Sequence, residues 1–435
     1  GVMLPYTGVL QLLANQLTFP VIATSGNIHG SPIISDNNEV IDKLSNVTDY
    51  FLQHNLKITH PQDDSVVKFS DKFNQEVLFR RSRGFAPNYL NISIQSKEKI
   101  LALGADLKSS FAFYPNNYLY ISQYLGNLEN YDVYNRFTSE VNSFINIFEQ
   151  QPEVILVDKH PLYQSSKFGK ELAVKTNSKL IEIQHHKAHF SAILGEYNLF
   201  NKKVLGVVFD GTGYGEDAQI WGGEFFNYEE STIERIHHLE YFDWLLGDKM
   251  AKEPRLALFS LASDEMDTIL TEKFTSNEFK TYQYLKKGNK LKTSSVGRLF
   301  DAVASLLNIT NYNTYEGEAA ILLENSIENY NLTRCKSYLN SSEVFSPKEI
   351  ISAIYKDLKE GISTKIISVN FLFTLANYII EFSKNNNYKH IAFSGGVFQN
   401  TTLVDMLIEL APKEIKLYFH SNLSPNDENI SFGQI

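Results

Sequence analysis

The stretch Ile181–Ala192, IEIQHHKAHFSA, decides how the chain is read. It holds His185, His186 and His189, three of the eleven histidines in 435 residues. A short apolar run, Leu180–Ile183, has the length and branching of a buried strand. Ala188, Phe190, Ile193 and Leu194 then recur at helical spacing, so the histidines are expected in the first turn of a helix just past a strand end. His185 and His189 are four apart, which puts both imidazoles on one helix face. Two neutral imidazoles there can hold one divalent metal, and strand ends are where open α/β sheets keep their chemistry. Satisfied structural histidines fit the same spacing. Acidic partners raise the metal reading: Asp210 in FDGTGYGED (Phe209–Asp217) and Asp427 in SPNDENISFG (Ser424–Gly433) complete a His/carboxylate set with open positions.

The length exceeds what one core fills, so two or three domains are expected. No run of eighteen apolar residues and no leader pattern is visible, so neither a membrane span nor a secretory signal is expected. The lone Cys335 excludes intrachain disulfides and a multi-cysteine metal site, and it fits a reducing, cytoplasmic setting. A net charge of −10 argues against a broad nucleic-acid surface. One local exception is Arg80, Arg81 and Arg83 in RRSRG: the run can grip phosphate or form a solvated basic turn.

On the N-terminal side of the histidines the pattern reads strand Ile100–Leu103, turn Gly104-Ala105-Asp106, strand Ser110–Tyr114, strand Tyr118–Gln123, helix Tyr131–Gln150, strand Val154–Val157 and helix Gln164–Thr176. The same grammar returns after Lys203 as strand, Gly-rich turn Asp210-Gly211-Thr212-Gly213 and strand, an internal duplication. Two such halves face to face would set two phosphate-gripping turns across a cleft. Helices follow from Pro254 to about Tyr330, over Pro347–Leu358 and over Thr364–Asn385. Then come strand His390–Phe393, Gly395-Gly396, a helix from near Asn400 and a last strand Lys416–Phe419. Strand, Gly-Gly, helix brings backbone amides and a helix N-terminus to a nucleotide, although close packing also accounts for many such glycine pairs. Near the chain start, strand Val21–Ala23 runs into Thr24-Ser25-Gly26-Asn27, where Ser25 and Asn27 offer donors to a phosphate or make a plain turn. A second strand-like piece, Asp64–Phe69, follows. This first unit has too few strands for a closed sheet domain and reads as cut at its N-terminus. Asn88–Lys99 reads as a linker region.

Taken together, the motifs resemble the HypF carbamoyltransferase family of nickel–iron hydrogenase maturation. They are LPYT (from Leu4), TSGNIHGSPI (Thr24), DDSVV (Asp63), RRSRGF (Arg80), LALGADLKSSF (Leu101), ISQYLGNLE (Ile121), DKHPLYQSS (Asp158), QHHKAH (Gln184), FDGTGYGEDAQIWGGEF (Phe209), VGRLFDAVASLL (Val296), YEGEAA (Tyr315), FSGGVFQN (Phe393) and PNDENISFGQ (Pro425), in family order over nearly the whole chain. The resemblance implies an α/β protein in which a partial YrdC-like domain (residues 1–90) and a linker (91–95) precede a two-lobed, actin-like (ASKHA) carbamoyl-transfer domain with duplicated mixed sheets (lobes 96–202 and 203–435). It implies a divalent metal, iron or zinc, on His185, His189, Asp210 and Asp427, with the two histidines also taking part in catalysis. ATP or carbamoyl-adenylate would lie against Gly104, Asp106, Gly211, Thr212 and Gly213, with Asp301 and Glu316 near the ribose and Gly395, Gly396 and Asn400 along the nucleotide. Mg2+ could accompany the nucleotide. Ser25, Asn27 and Arg81 would serve nucleotide binding on the YrdC-like side, and Lys108 is the nearest cation to the phosphates, hence a catalytic candidate. The acceptor implied is the C-terminal cysteine thiol of a HypE-like partner, on the way to the cyanide ligands of the hydrogenase iron. No nucleic acid and no membrane are expected.

The sequence departs from that pattern in places. The family's acylphosphatase domain, zinc modules and first half of the YrdC-like domain have no counterpart in these residues, so the chain is expected not to make carbamoyl-adenylate unaided. Lys187 stands where the family usually has a third histidine, Glu428-Asn429 replace a usual Gly-Gly, and Lys252-Glu253-Pro254-Arg255 lack the tryptophan of a related stretch. Three alternatives stay open: carbamoyl transfer to a hydroxyl or amine of a small molecule, a non-catalytic nucleotide-binding docking module, and a sugar kinase of the same fold, against which the histidine pair argues.

Overall fold

The computed structural model describes residues 2–90, 94, 96–341 and 343–435. The chain divides into two units, Gly1–Asp63 and Asp64–Ile435. In the first, helices Gly8–Gln16 and Asn37–Leu44 are N-capped by the Thr7 and Asp36 side chains, and none of their residues is buried. Val21–Ala23, expected as a strand, is not one: Val21 and Ile22 are exposed, and a strand exists only where a neighbour takes its N–H and C=O groups. Among the described residues this unit offers no such neighbour.

The second unit holds the sheets. A hairpin of β1 (Val66–Phe69) and β2 (Glu76–Arg80) comes first. Then β3 (Asn88–Leu90), β4 (Ile100–Ala102), β5 (Ala112–Tyr114), β6 (Leu119–Ile121), β7 (Val154–Asp158) and β8 (Lys179–Ile183) form a six-stranded sheet of order β3-β6-β5-β4-β7-β8. The start of the expected linker is therefore an edge strand, because Asn88–Leu90 pairs antiparallel with β6. Of linker residues 91–95, only Ile94 lies among those described.

A seven-stranded sheet follows from β9 (Val204–Tyr214), β10 (Ile220–Glu229), β11 (Thr232–His238), β12 (Phe242–Asp243), β13 (Lys292–Thr293), β14 (His390–Ser394) and β15 (Lys416–Tyr418). The expected duplication extends to whole sheets. The run β6-β5-β4-β7-β8 in the first sheet and β11-β10-β9-β14-β15 in the second have the same strand directions: antiparallel through the first three strands, parallel through the last three. The last parallel step of each lobe, β7 to β8 and β14 to β15, crosses over through one α-helix, Gln164–Thr176 in the first lobe and Thr401–Leu410 in the second.

One expectation of local form is corrected. Asp210–Gly213 is not a turn: β9 runs through it, and the chain reverses only at Gly215–Gln219. The helix expected from near Asn400 is present as Thr401–Leu410, with a 3-10 turn, Gly396–Gln399, ahead of it. The helix Thr364–Asn385 is long and apolar enough to cross a membrane by composition, but it is packed into the second lobe through Ile367, Phe371, Leu375 and Ile379.

The histidine helix, His185–Glu196, is wedged between the lobes. Ala192 packs with Ala102, Leu156 and Phe432 on the first sheet. Phe190, Ile193 and Leu194 pack with Val204, Val208 and Ala392 on the second. A helix apolar on more than one side is one that must be enclosed. The chain's last helix, Ile430–Gln434, returns to the first lobe and lies on the histidine helix. A Cβ on Gly433 would overlap the Ala188 carbonyl, so only glycine permits this approach.

Candidate metal centre and nucleotide site

The histidines begin their helix because Gln184 caps it, its Oε1 accepting from the Lys187 N–H at 2.8 Å. β7 and β8 are parallel neighbours, so Asp158 at the end of one lies beside Ile183 at the end of the other. Asp158 Oδ2 is then 2.7 Å from His185 Nδ1. A carboxylate accepts only, so Nδ1 carries a proton and Nε2 is the nitrogen turned to a metal. Asp210 comes from β9, just beyond the last residue paired with β14 and beside a bulge opposite Gly222. Asp427 opens a 3-10 turn before the last helix.

These elements aim four donor atoms at one point. Asp210 Oδ2 stands 3.6 Å from His185 Nε2 and 3.8 Å from His189 Nε2; Asp427 Oδ1 stands 3.8 and 3.6 Å from the same atoms. All four lie within 4.8 Å of one another and all four residues are buried. Both Nε2 atoms lack a hydrogen-bond partner among the described residues. An unmet buried acceptor costs about 1–3 kcal/mol, so two of them side by side need an explanation. The separations exceed the ~2.7–2.9 Å of charge-assisted hydrogen bonds but suit atoms bonded to a common ion at about 2.0–2.2 Å. The residues therefore fit a divalent metal.

The electrostatics agree. Burial works to raise the Asp210 carboxyl, yet His185 and His189 hold it well below the usual range. Burial and Asp210 push Asp427 up, and the histidines bring it down to about 2. Burial would lower His185, but Asp158 and Asp427 keep it well above the ordinary imidazole value; His189 is raised by Asp210 and Asp427 against the same burial. Burial and the neighbouring His185 hold His186 well below it, hence neutral. Its Nε2 takes no part in the cluster, and its ring lies against Gly213.

Gly396 has a role here: its N–H donates to Asp210 Oδ1 at 3.3 Å, steadying a ligand. Gly395 adopts φ +99 and packs on the Phe209 backbone. Asn400 caps helix Thr401–Leu410 through Oδ1 at 2.8 Å, while its buried Nδ2 has no partner among the described residues. Gly211 lies against Arg298, and Thr212 is half-buried on β9. Asp301 Oδ2 lies 3.0 Å from Arg298 Nη2 at an angle that makes no hydrogen bond, so the oxygen can still accept one. Lys108 Nζ meets Glu316 Oε1 at 2.5 Å. Burial works to lower Lys108, but Glu316, Asp427 and Asp210 raise it, so its charge is secure.

Other expected nucleotide residues have structural partners. The Gly104 N–H donates to Gln434 Oε1 at 2.9 Å, and Asp106 accepts from the Gln164 and Ser165 N–H groups at 2.7 and 2.9 Å, capping a helix. Arg81 is buried, and its guanidinium donates to the Ser122 and Phe85 carbonyls at 3.0 and 2.7 Å, fastening the β1–β2 hairpin to the first sheet. Ser25 and Asn27 hold a turn, with Asn27 Nδ2 donating to the Ser31 carbonyl at 2.8 Å. The sequence reading missed Asp158, Ser394, Asn429 and Arg298.

The fold and site define a class: a two-lobed, actin-like α/β protein with a His2Asp2 cluster where the lobes meet. Family models sharpen it. Residues 206–434 match the second subdomain of the Kae1-like carbamoyltransferase domain, 95–196 the HypF Kae1-like domain, and 1–82 the Sua5/YciO/YrdC family, described as telomere recombination. The chain belongs to the HypF carbamoyltransferase family. It is 34% identical to carbamoyltransferase HypF of Synechocystis and 33% to the probable carbamoyltransferase HypF of Methanocaldococcus jannaschii, over its whole length and 59% and 58% of theirs. It thus spans about three-fifths of these relatives. Among solved structures it resembles full-length HypF in a phosphate- and nucleotide-bound form (TM-score 0.89, 34% identity, all of this chain and 69% of that one). It also resembles HypF of T. kodakarensis (TM-score 0.83, 30% identity, 94% of this chain and 56% of that one).

Proposed function

We propose that this chain transfers a carbamoyl group from carbamoyl-adenylate to the C-terminal cysteine thiol of a HypE-like protein, in the synthesis of the cyanide ligands of nickel–iron hydrogenase. The observation that carries the reading is the pair of unpartnered imidazole nitrogens facing Asp210 and Asp427 in a member of the HypF family. A relative solved with phosphate and nucleotide bound supports a nucleotide as part of the donor. A divalent ion on His185, His189, Asp210 and Asp427 would act as a Lewis acid towards a carbonyl or phosphoryl oxygen.

The chain's own residues do the rest. Lys108, charged and facing the same carboxylates, offers a cation to the adenylate phosphate. Arg298 is buried beside Gly211 with Nε and Nη1 lacking partners among the described residues, a second donor for phosphate. The free Asp301 oxygen suits a ribose hydroxyl. In the transfer, the sulfur–carbon bond forms as the bond from carbamoyl carbon to phosphate oxygen breaks. The electron pair leaves with AMP and the thiol proton goes to solvent.

The test supplies carbamoyl-adenylate and a HypE-like acceptor, then follows AMP release and the mass gain of one carbamoyl group on the terminal cysteine. Transfer lost in His185→Ala and Asp427→Ala supports the reading. A metal-loaded chain that binds the acceptor but leaves its cysteine unmodified would make it a docking module. Carbamoylation of a small hydroxyl or amine compound in place of the thiol would move the acceptor class.

A further inference from the structure

Behind His189 lies a buried polar chain that fixes the orientation of the Asn429 amide, with Ser394 Oγ also 3.3 Å from His189 Nδ1. Asn429 Nδ2 is 2.8 Å from the Ser424 carbonyl, which only accepts, so the amide nitrogen must point there and Oδ1 must point the other way. Oδ1 lies 3.0 Å from His189 Nδ1, which must therefore donate, leaving the Nε2 lone pair towards Asp210 and Asp427. The amide nitrogen also reaches Ser394 Oγ at 3.2 Å and His420 Nε2 at 3.3 Å, and Ser394 Oγ is 3.0 Å from His420 Nε2. His420 Nε2 can accept because its Nδ1 donates to Glu196 Oε2 at 2.5 Å. Glu196 is fixed in turn: its Oε1 accepts from the Ser421 and Asn422 N–H groups at 2.9 and 2.6 Å. Asn429, Ser394 and His420 are all buried.

We infer that Asn429 is a positioning residue for the metal ligand His189, held in its one useful orientation by Ser394, the Ser424 carbonyl and a His420 anchored on Glu196. A glycine, the residue the family resemblance expects at 429, makes none of the side-chain bonds. The relay is thus a feature of this chain's own Glu428-Asn429 sequence, and it fills for His189 the role that Asp158 fills for His185. Partners of this kind fix ligand tautomer and ring orientation, and their loss costs about 10–100-fold in metal affinity. The inference rests on the metal reading of the cluster.

The experiment measures Co2+ affinity of the full chain by competition with a chromophoric chelator, together with the visible absorption of the bound Co2+. The chains compared are wild type, Asn429→Gly and Glu196→Gln. The second variant lies at the far end of the relay and decides alone where Asn429→Gly does not fold. Expected are a tenfold or greater loss of affinity for Asn429→Gly (about 10–100-fold for an outer-shell partner), a smaller loss for Glu196→Gln, and a changed Co2+ spectrum in both. Packing alone would alter thermal stability without moving the spectrum. Affinity within about twofold of wild type and an unchanged spectrum in both variants would overturn the relay while leaving the metal site standing. A wild-type chain that takes up no Co2+ would remove the metal reading itself.

Discussion

Lys108 Nζ and Glu316 Oε1 meet at 2.5 Å, joining the loop after β4 to the loop ahead of helix Glu318–Asn325 in the other lobe. Glu316 is 55% exposed, and such a pair is worth on the order of 0–1 kcal/mol to folding. Its importance lies in where it holds the ammonium: close enough to Asp210 and Asp427 for both to raise it. Lys108→Ala is therefore expected to leave unfolding stability within about 1 kcal/mol of wild type. AMP binding, read by calorimetric titration, should weaken severalfold or more. Undiminished AMP affinity would remove Lys108 from the phosphate site.

Gly213 marks how closely β9 and the histidine helix approach. A Cβ there would overlap the His186 ring and press on His185. Overpacking of this kind costs typically about 1–3 kcal/mol. Gly213→Ala should lower stability by that order and, because the strain falls on His185, reduce metal content more than a surface substitution of equal cost. Full metal content in the variant would mean that the histidine helix absorbs the methyl without moving.

That glycine also shows where the sequence was legible and where it was not. The strand, the helix start just past it and the i, i+4 histidines are local features, and the structure has them as read. Asp210-Gly211-Thr212-Gly213 looked like a turn because glycine is the commonest turn residue. The glycine at 213 answers instead to a helix that reaches β9 only through tertiary packing. Arg81 looked free to grip phosphate, but the carbonyls it serves belong to Phe85 nearby and to Ser122, 41 residues away. Asp158 and Asn429 were silent for the same reason: their partners depend on strand adjacency and on the return of the last helix. Residue type pointed to the four residues of the candidate cluster, and only packing revealed what orients them.

Asp301 carries a pH signature. Burial pushes its carboxyl up to about 6, against the pull of Arg298 and Asn313. An acid with a raised folded pKa binds its proton more tightly when folded. Its contribution is therefore greatest below the unfolded value of about 3.9, falls as pH climbs, and levels off above about 6. The slope in that window is at most about 1.4 kcal/mol per pH unit. Asp301→Asn cannot titrate. Urea unfolding of both chains between about pH 4 and about pH 7 should show their stability difference moving in the variant's favour as pH rises. A constant difference would mean that Asp301 titrates alike in folded and unfolded chains.

The sharpest prediction concerns Asp158, 2.7 Å from His185 Nδ1 and buried with it. Burial alone would make His185 easy to deprotonate, but Asp158 and Asp427 hold its proton well above the usual 6.5. Nδ1 keeps its proton on Asp158, so a metal at Nε2 must displace the second proton of the imidazolium, and affinity should rise with pH through a window above the ordinary imidazole value. Asp158→Ala removes both the orienting acceptor and the charge that retains the proton. The two losses act differently. Without the acceptor the ring can turn, and affinity at high pH should fall about 10–100-fold. Without the charge, His185 gives up its proton earlier, and the affinity curve should move to lower pH. Zn2+ competition titrations across a pH series read both at once. A lower plateau with an unshifted curve would show that Asp158 orients His185 without controlling its proton. A shifted curve with an unchanged plateau would show the reverse. Identical curves for wild type and variant would mean that His185 is not a ligand.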